Sequence, residues 1–202
     1  MARDFAPAAL AVVDANIHFT IGTTMTTRCD RTRSPADQLA ALRIDSEVVL
    51  TQPLTIKAYD YWRAVRGSRL MPTRADITPK SMKEFMANIG LIEARPTALG
   101  VDYVVRLAGT RCEEVFGPIT GKSFSDFLPP ENEVRWRRVC EEARRTRGPL
   151  SVTGRLTLPG KDWLQSETFV GPLGEEGKEI TMLLLGFVAW PALSGATGTG
   201  PA

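Results

Sequence analysis

The sequence predicts an α+β domain, a five-stranded antiparallel sheet with helices on one face and a helical extension on its N-terminal side. Three observations carry this. Two strand-like segments lie between residues 89 and 107, and three more follow residue 148. Helical periodicity fills the interval between them and is longest over 129–148. The final strand-like run, EITMLLLGFVAW, is apolar at both parities, which places it in the middle of its sheet.

The elements follow in order. TIKAYDYWRAVRG puts Ala58, Tyr61, Trp62 and Val65 at helical spacing, and Gly67 ends the helix. In MPTRADITPKSMKEFMANI, Thr78 is an N-cap and Pro79 a first helical residue. IGLIEAR is a short strand. VDYVVRL alternates, with Val101, Tyr103, Val105 and Leu107 on one face and Asp102 and Arg106 on the other. GTRCEEVFG reads as a short helix opened by a capping box, Thr110 with Glu113, and closed by Gly117. PPENEVRWRRVCEEARRTRG is the strongest helix. Its apolar stripe is Trp136, Val139, Cys140 and Ala143, with Arg137–Glu141, Arg138–Glu142 and Glu141–Arg145 as i,i+4 pairs and Gly148 as the stop. LSVTGRLTL puts Leu150, Val152, Leu156 and Leu158 on one face. LPGK is a type II turn, and WLQSETFVGPL precedes the last strand.

Composition bounds the rest. The chain has 202 residues, 43% hydrophobic and 24% charged, with net charge +2. That suits one domain with flanking segments and neither demands nor excludes an anionic partner. Residues 1–50 read as a weakly ordered Thr-rich segment, 52–191 as the folded unit and 192–202 as a disordered small-residue tail; Met25 is a possible alternative start. Cys29, Cys112 and Cys140 form no C-x-x-C pair, and His18 is the only histidine. No metal site and no Ser-His-Asp or Cys-His constellation is therefore expected. Asp4 and Asp14 argue against a signal peptide, no stretch is long enough to span a membrane, and the odd cysteine count fits the cytoplasm.

FGPITGKSF resembles a phosphate loop only superficially. Three residues separate Gly117 from Gly121 where four are needed, and Phe116 holds the place of the first glycine. A turn with Lys122 exposed, and Ser123 or Ser125 capping the next helical segment, is expected instead.

YWRAVRGSRLMPTRADITP followed by YVVRLAGTRCEEVFGPITGKSFSDF resembles a divergent single-domain PAS family common in alphaproteobacteria, over about residues 55–190. The motif residues include Trp62, Arg63, Gly67, Pro72, Arg74, Asp76 and Pro79. The resemblance implies strand order 2-1-5-4-3 with the last strand central, and FGPITGK as the loop joining two short helices. It implies a non-enzymatic sensory or regulatory module, acting through a small molecule held between sheet and helices, through protein contacts, or both. It also implies a homodimer and a further signalling protein as partners.

The facing strands and helix stripes place Tyr103, Val105, Phe116, Phe124, Phe127, Val139, Leu156, Phe169 and Leu184 around a cavity. Glu167, with Arg155 across the hairpin, either contacts a polar ligand there or faces solvent. Trp62, Arg66, Arg74 and Asp76 are candidate interaction residues; for Arg74 and Asp76 a salt bridge pinning the linker, or local capping by Asp76, is the alternative. The cofactor is left open. Haem is argued against by the absence of histidine on the long helix, and flavin by the mismatch of GTRCEEVFG with a photoactive cysteine motif. Nucleic-acid binding through Arg135, Arg137, Arg138, Arg144, Arg145 and Arg147 is disfavoured because Glu133, Glu141 and Glu142 interleave with them. A small cone-like α+β isomerase or dehydratase is the competing reading, with Glu167 and Asp126 as the only candidates for its pocket acid or base.

Overall fold

The computed structural model describes residues 42–192. Expectations about the N-terminal segment before residue 42, including Met25, His18 and Cys29, and about the tail beyond 192, lie outside the described residues.

The elements are β1 (Leu42–Asp45), α1 (Pro53–Arg66), β2 (Ile89–Thr97), β3 (Gly100–Ala108), α2 (Thr110–Phe116), α3 (Phe124–Phe127), α4 (Pro130–Thr146), β4 (Leu150–Arg155), β5 (Leu164–Leu173) and β6 (Met182–Pro191). Three 3-10 turns, Arg74–Asp76, Pro79–Met82 and Met86–Asn88, join α1 to β2. Thr78 and Pro79 therefore open a single 3-10 turn.

The sheet is antiparallel in the order β1-β4-β5-β6-β2-β3. Five of these strands reproduce the expected order, and the apolar last strand β6 lies between β5 and β2. The sixth, β1, adds to the edge at β4 from a stretch expected to be weakly ordered. Four residues are too few for alternation to signal a strand; the Ile44–Val152 and Arg43–Thr153 pairings define it.

The helices between β3 and β4 lie on one face of the sheet, and the N-terminal helical extension, α1, covers the other. On the outer face α1 packs across β5 and β6. Its Trp62 ring meets Phe169 edge-on at 6.2 Å and donates Nε1–H to Pro172 O at 3.0 Å. The helix comes this close because Gly171 and Gly186 carry no side chain; a Cβ there would lie 2.6 Å from Trp62 and 2.5 Å from Ala58. Leu185 and Phe187, next to Gly186 and of opposite parity, face α2, α3 and α4 on the inner side.

A β-bulge resets the alternation of β3. Ile92 pairs with Val105 but Leu91 pairs with Leu107, so Arg106 is an extra residue. Leu107 is thereby turned to the outer face and leaves the expected Val101–Tyr103–Val105 row. The expected end of the long helix also moves. Arg147, at φ 54° and ψ 22°, is the left-handed cap in place of Gly148, and its guanidinium donates to Glu175 O and Lys178 O.

Candidate functional site

Inner-face strands and the three helices line a partly open apolar cavity of about 60 Å³. Its floor is Gly90, Ile92, Val105, Leu185 and Phe187; its walls include Phe116, Phe124, Phe127 and Trp136. At about 10–15 Å³ for each water-sized group, it has room for roughly four to six of them. Among the described residues, Cys112 is its only titratable lining residue. Burial pushes that thiol up to about 12, and burial likewise raises Cys140, a fully packed member of the α4 stripe. Neither cysteine is a thiolate near neutrality.

Val105, Phe116, Phe124 and Phe127 line the cavity as expected. Tyr103 stacks on Phe124 at 5.7 Å and Val139 is packed in the core, so both belong to this side without lining the void. Leu156 sits in a neighbouring hollow beside Asn132, Arg135 and Thr157. Three expectations are corrected. Glu167, Phe169 and Leu184 face α1 on the outer side, because the β5–β6 register pairs Glu167 with Val188, Phe169 with Gly186 and Gly171 with Leu184. Nor does Arg155 lie opposite Glu167, since Gln165 pairs with Arg155 and Glu167 with Thr153. Sequence reasoning missed Trp136, Phe187, Ile92, Ile119 and Leu128 as lining residues. The apolar stripe of α4 contained Trp136, and the helical period alone could have aimed it at the sheet.

Glu167 is 1% exposed and is the cap of α1. Its carboxylate accepts from Thr51 N at 2.8 Å, Thr51 Oγ1 at 2.7 Å, Gln52 N at 2.9 Å and the Thr55 hydroxyl. Burial opposes its ionisation, but these bonds together outweigh burial and hold its pKa below the ordinary glutamate value. Asp126 is also occupied, accepting from Ser123 N at 2.8 Å at the start of α3.

FGPITGKSF joins α2 to α3 and lies along β3. Val105 N–H donates to Lys122 O at 2.9 Å and Gly121 N–H to Val105 O at 2.7 Å, so the loop covers the outer edge of the sheet. Lys122 is exposed, as expected. The Thr110–Glu113 capping box does not form. Gly109 is the N-cap, and Glu113 accepts from Thr120 instead. The α4 pairs also differ from those expected. Arg137 bonds Glu133 at 2.8 Å and lies 3.5 Å from Asp102, Arg145 bonds Glu142, and Arg144 bonds Glu179 and Ile180 O. Arg135 is buried, donating to Thr157 Oγ1 at 2.9 Å.

Among the candidate interaction residues, Trp62 is fully buried and serves as the anchor of α1. Arg66 lies over its ring at 5.4 Å. Asp76 pairs with Arg69 at 2.8 Å and accepts from Thr73 N at 2.7 Å, which lowers its pKa; the expected bridge to Arg74 is absent. Arg74 is exposed and donates to Ile77 O at 3.0 Å.

A family model described as PAS domain matches residues 50–189. The chain belongs to the PAS domain family. No curated protein matches it. In this PAS domain Phe116, Phe124, Phe127, Trp136 and Phe187 narrow the space between sheet and helices to this cavity. Gly90→Ala should stabilise the fold by about 0.4–1 kcal/mol. Gly90 has an ordinary φ, and its new methyl would meet Leu185 Cβ at 3.5 Å on the cavity floor. Urea denaturation followed by fluorescence measures the gain.

Proposed function

We propose that this PAS domain is a non-enzymatic regulatory module of the cytoplasm whose output is protein contact, and that it pairs with a second copy of itself. The small apolar cavity is the observation that carries the reading. Pockets for drug-sized ligands are several times larger and carry a few convergent polar groups, whereas about 60 Å³ lined by aliphatic and aromatic side chains suits at most a very small apolar guest. A cavity of this volume weighs against haem and flavin. The competing enzyme reading is weakened because Glu167 and Asp126 each serve a helix start. The nucleic-acid reading is weakened because Arg137, Arg144 and Arg145 are engaged with carboxylates. The second copy is supported by Trp163, a large ring left 54% exposed just before β5. No helix among the described residues is long and apolar enough to cross a membrane.

Native mass spectrometry of the protein purified from its own host tests the proposal. The expected spectrum is a dimer at twice the chain mass with no organic molecule retained. A bound small molecule would move the reading to a ligand sensor, and a monomer would remove the pairing.

A further inference from the structure

We propose that the outer-face groove at the β3 bulge docks an acidic, aliphatic segment of a partner protein. The inference rests on the reading that this domain acts through protein contacts. The groove has a volume of about 350 Å³ and is lined by Arg74, Leu91, Glu93, Arg106, Leu107 and Met182. Leu91, Leu107 and Met182 form an apolar floor, and Leu107 is there because the bulge turns it outward next to Arg106. The bulge thus sets a cation and an aliphatic side chain side by side on the same face, a known use of such irregularities.

The rim is charged in one direction. The single Glu93 carboxylate faces two guanidinium groups, Arg95 at 2.9 Å and Arg106 at 3.6 Å. Arg106 is 52% and Arg95 45% exposed, and Arg74 stands exposed across the groove on its 3-10 turn. Arg74 and Arg106 on the rim, with Arg95 paired to the one lining glutamate, leave the rim net positive above an apolar floor. Guanidinium groups grip carboxylates in bidentate geometry, so the complementary segment carries Asp or Glu on either side of a Leu, Ile, Val or Met that covers the floor. A free anion would satisfy the rim and leave the floor exposed. Charge complementarity therefore favours a peptide segment.

The test is a random dodecapeptide library selected on the full-length immobilised protein, in parallel on Arg74→Glu/Arg106→Glu and on Arg106→Gln. The native protein should enrich peptides with two or more carboxylates around an aliphatic residue. The best synthetic peptide, followed by fluorescence polarisation, should bind at least tenfold more weakly to the double variant and several-fold more weakly at 300 than at 50 mM salt. Arg106→Gln, which only removes charge at an exposed position, should give an intermediate loss with an unchanged melting temperature. The proposal is overturned by no enrichment, by enrichment of basic or uncharged peptides, or by acidic peptides that bind all three proteins equally. It is also overturned if the charge-reversed protein loses its dimer, because the occupant would then be a second copy. A failed selection on a protein whose native spectrum shows an empty dimer sinks the groove alone. A retained small molecule together with acidic-peptide binding sinks the core reading and leaves the groove standing.

Discussion

Alanine at position 109 should cost about 3 kcal/mol or more, at the upper end of what overpacking does to a protein interior. Gly109 has an ordinary φ of −70°, so the cost is not conformational. An added Cβ would stand 2.3 Å from the carbonyl oxygens of both Met86 and Ala87. Those atoms are backbone and cannot rotate away. Gly109 also donates its N–H to Ile89 O at 2.7 Å, and it accepts at the first turn of α2 from Cys112 N at 2.9 Å. Relief would require the 86–88 turn and α2 to separate, opening the cavity wall at Cys112 and Phe116. With a urea slope of about 2 kcal/mol per molar, the midpoint should fall by roughly 1.5 M. Gly121→Ala is the control. It has open space around its Cβ but a φ of +86°, so only the backbone penalty of about 1 kcal/mol applies. Equal midpoints for the two variants would show that the close approach at Gly109 is not what holds the turn to the helix.

Much of this architecture was legible because its signals are local. Helical period located α1 and α4, and the uninterrupted apolarity of β6 identified the central strand before any pairing was known. The resemblance supplied the strand order, and the order held. What could not be read depends on which residues meet at a distance. Phe169 and Leu184 were assigned to the ligand side because both are large, apolar and in strands, yet the same alternation serves either face. Only the presence of α1, seated where Gly171 and Gly186 leave room, decides that theirs is the outer one. The bulge at Arg106 is invisible to periodicity because one extra residue leaves the composition of VDYVVRL unchanged while turning Leu107 over. Strand parity with Trp163 and Phe169 makes Glu167 a possible ligand contact only if that face is inward, and the face is not inward. Its partners, Thr51, Gln52 and Thr55, lie more than a hundred residues away in sequence, and no spacing rule joins them.

Removing the Glu167 carboxylate should destabilise the domain by about 3 kcal/mol, as charge-assisted bonds of about 1.5–3 kcal/mol each are lost and partly replaced by water at the half-exposed helix start. The sequence at the start of α1 gives it no cap of its own, since Gln52 makes no side-chain capping bond and Pro53 begins the helix. Glu167 supplies that cap from the sheet, binding the N–H of the N-cap residue Gln52, the N–H of Thr51 just before it and two hydroxyls while its charge meets the positive end of the helix. Glu167→Gln should recover only part of this, because the amide keeps one acceptor oxygen but turns its NH2 toward one of the two backbone N–H donors. The pH dependence separates this from a packing effect. The folded-state pKa of Glu167 lies below its unfolded value, so between the two the unfolded chain binds more protons and stability rises with pH. The contribution is complete above the ordinary glutamate value of about 4.3 and is lost as pH falls through the depressed folded-state value. The stability gap between the native protein and Glu167→Ala should therefore be constant from neutral pH to about pH 5 and shrink steadily below that. A gap independent of pH down to about pH 2 would mean that the side chain stabilises α1 by packing, and the electrostatic cap would have to be abandoned.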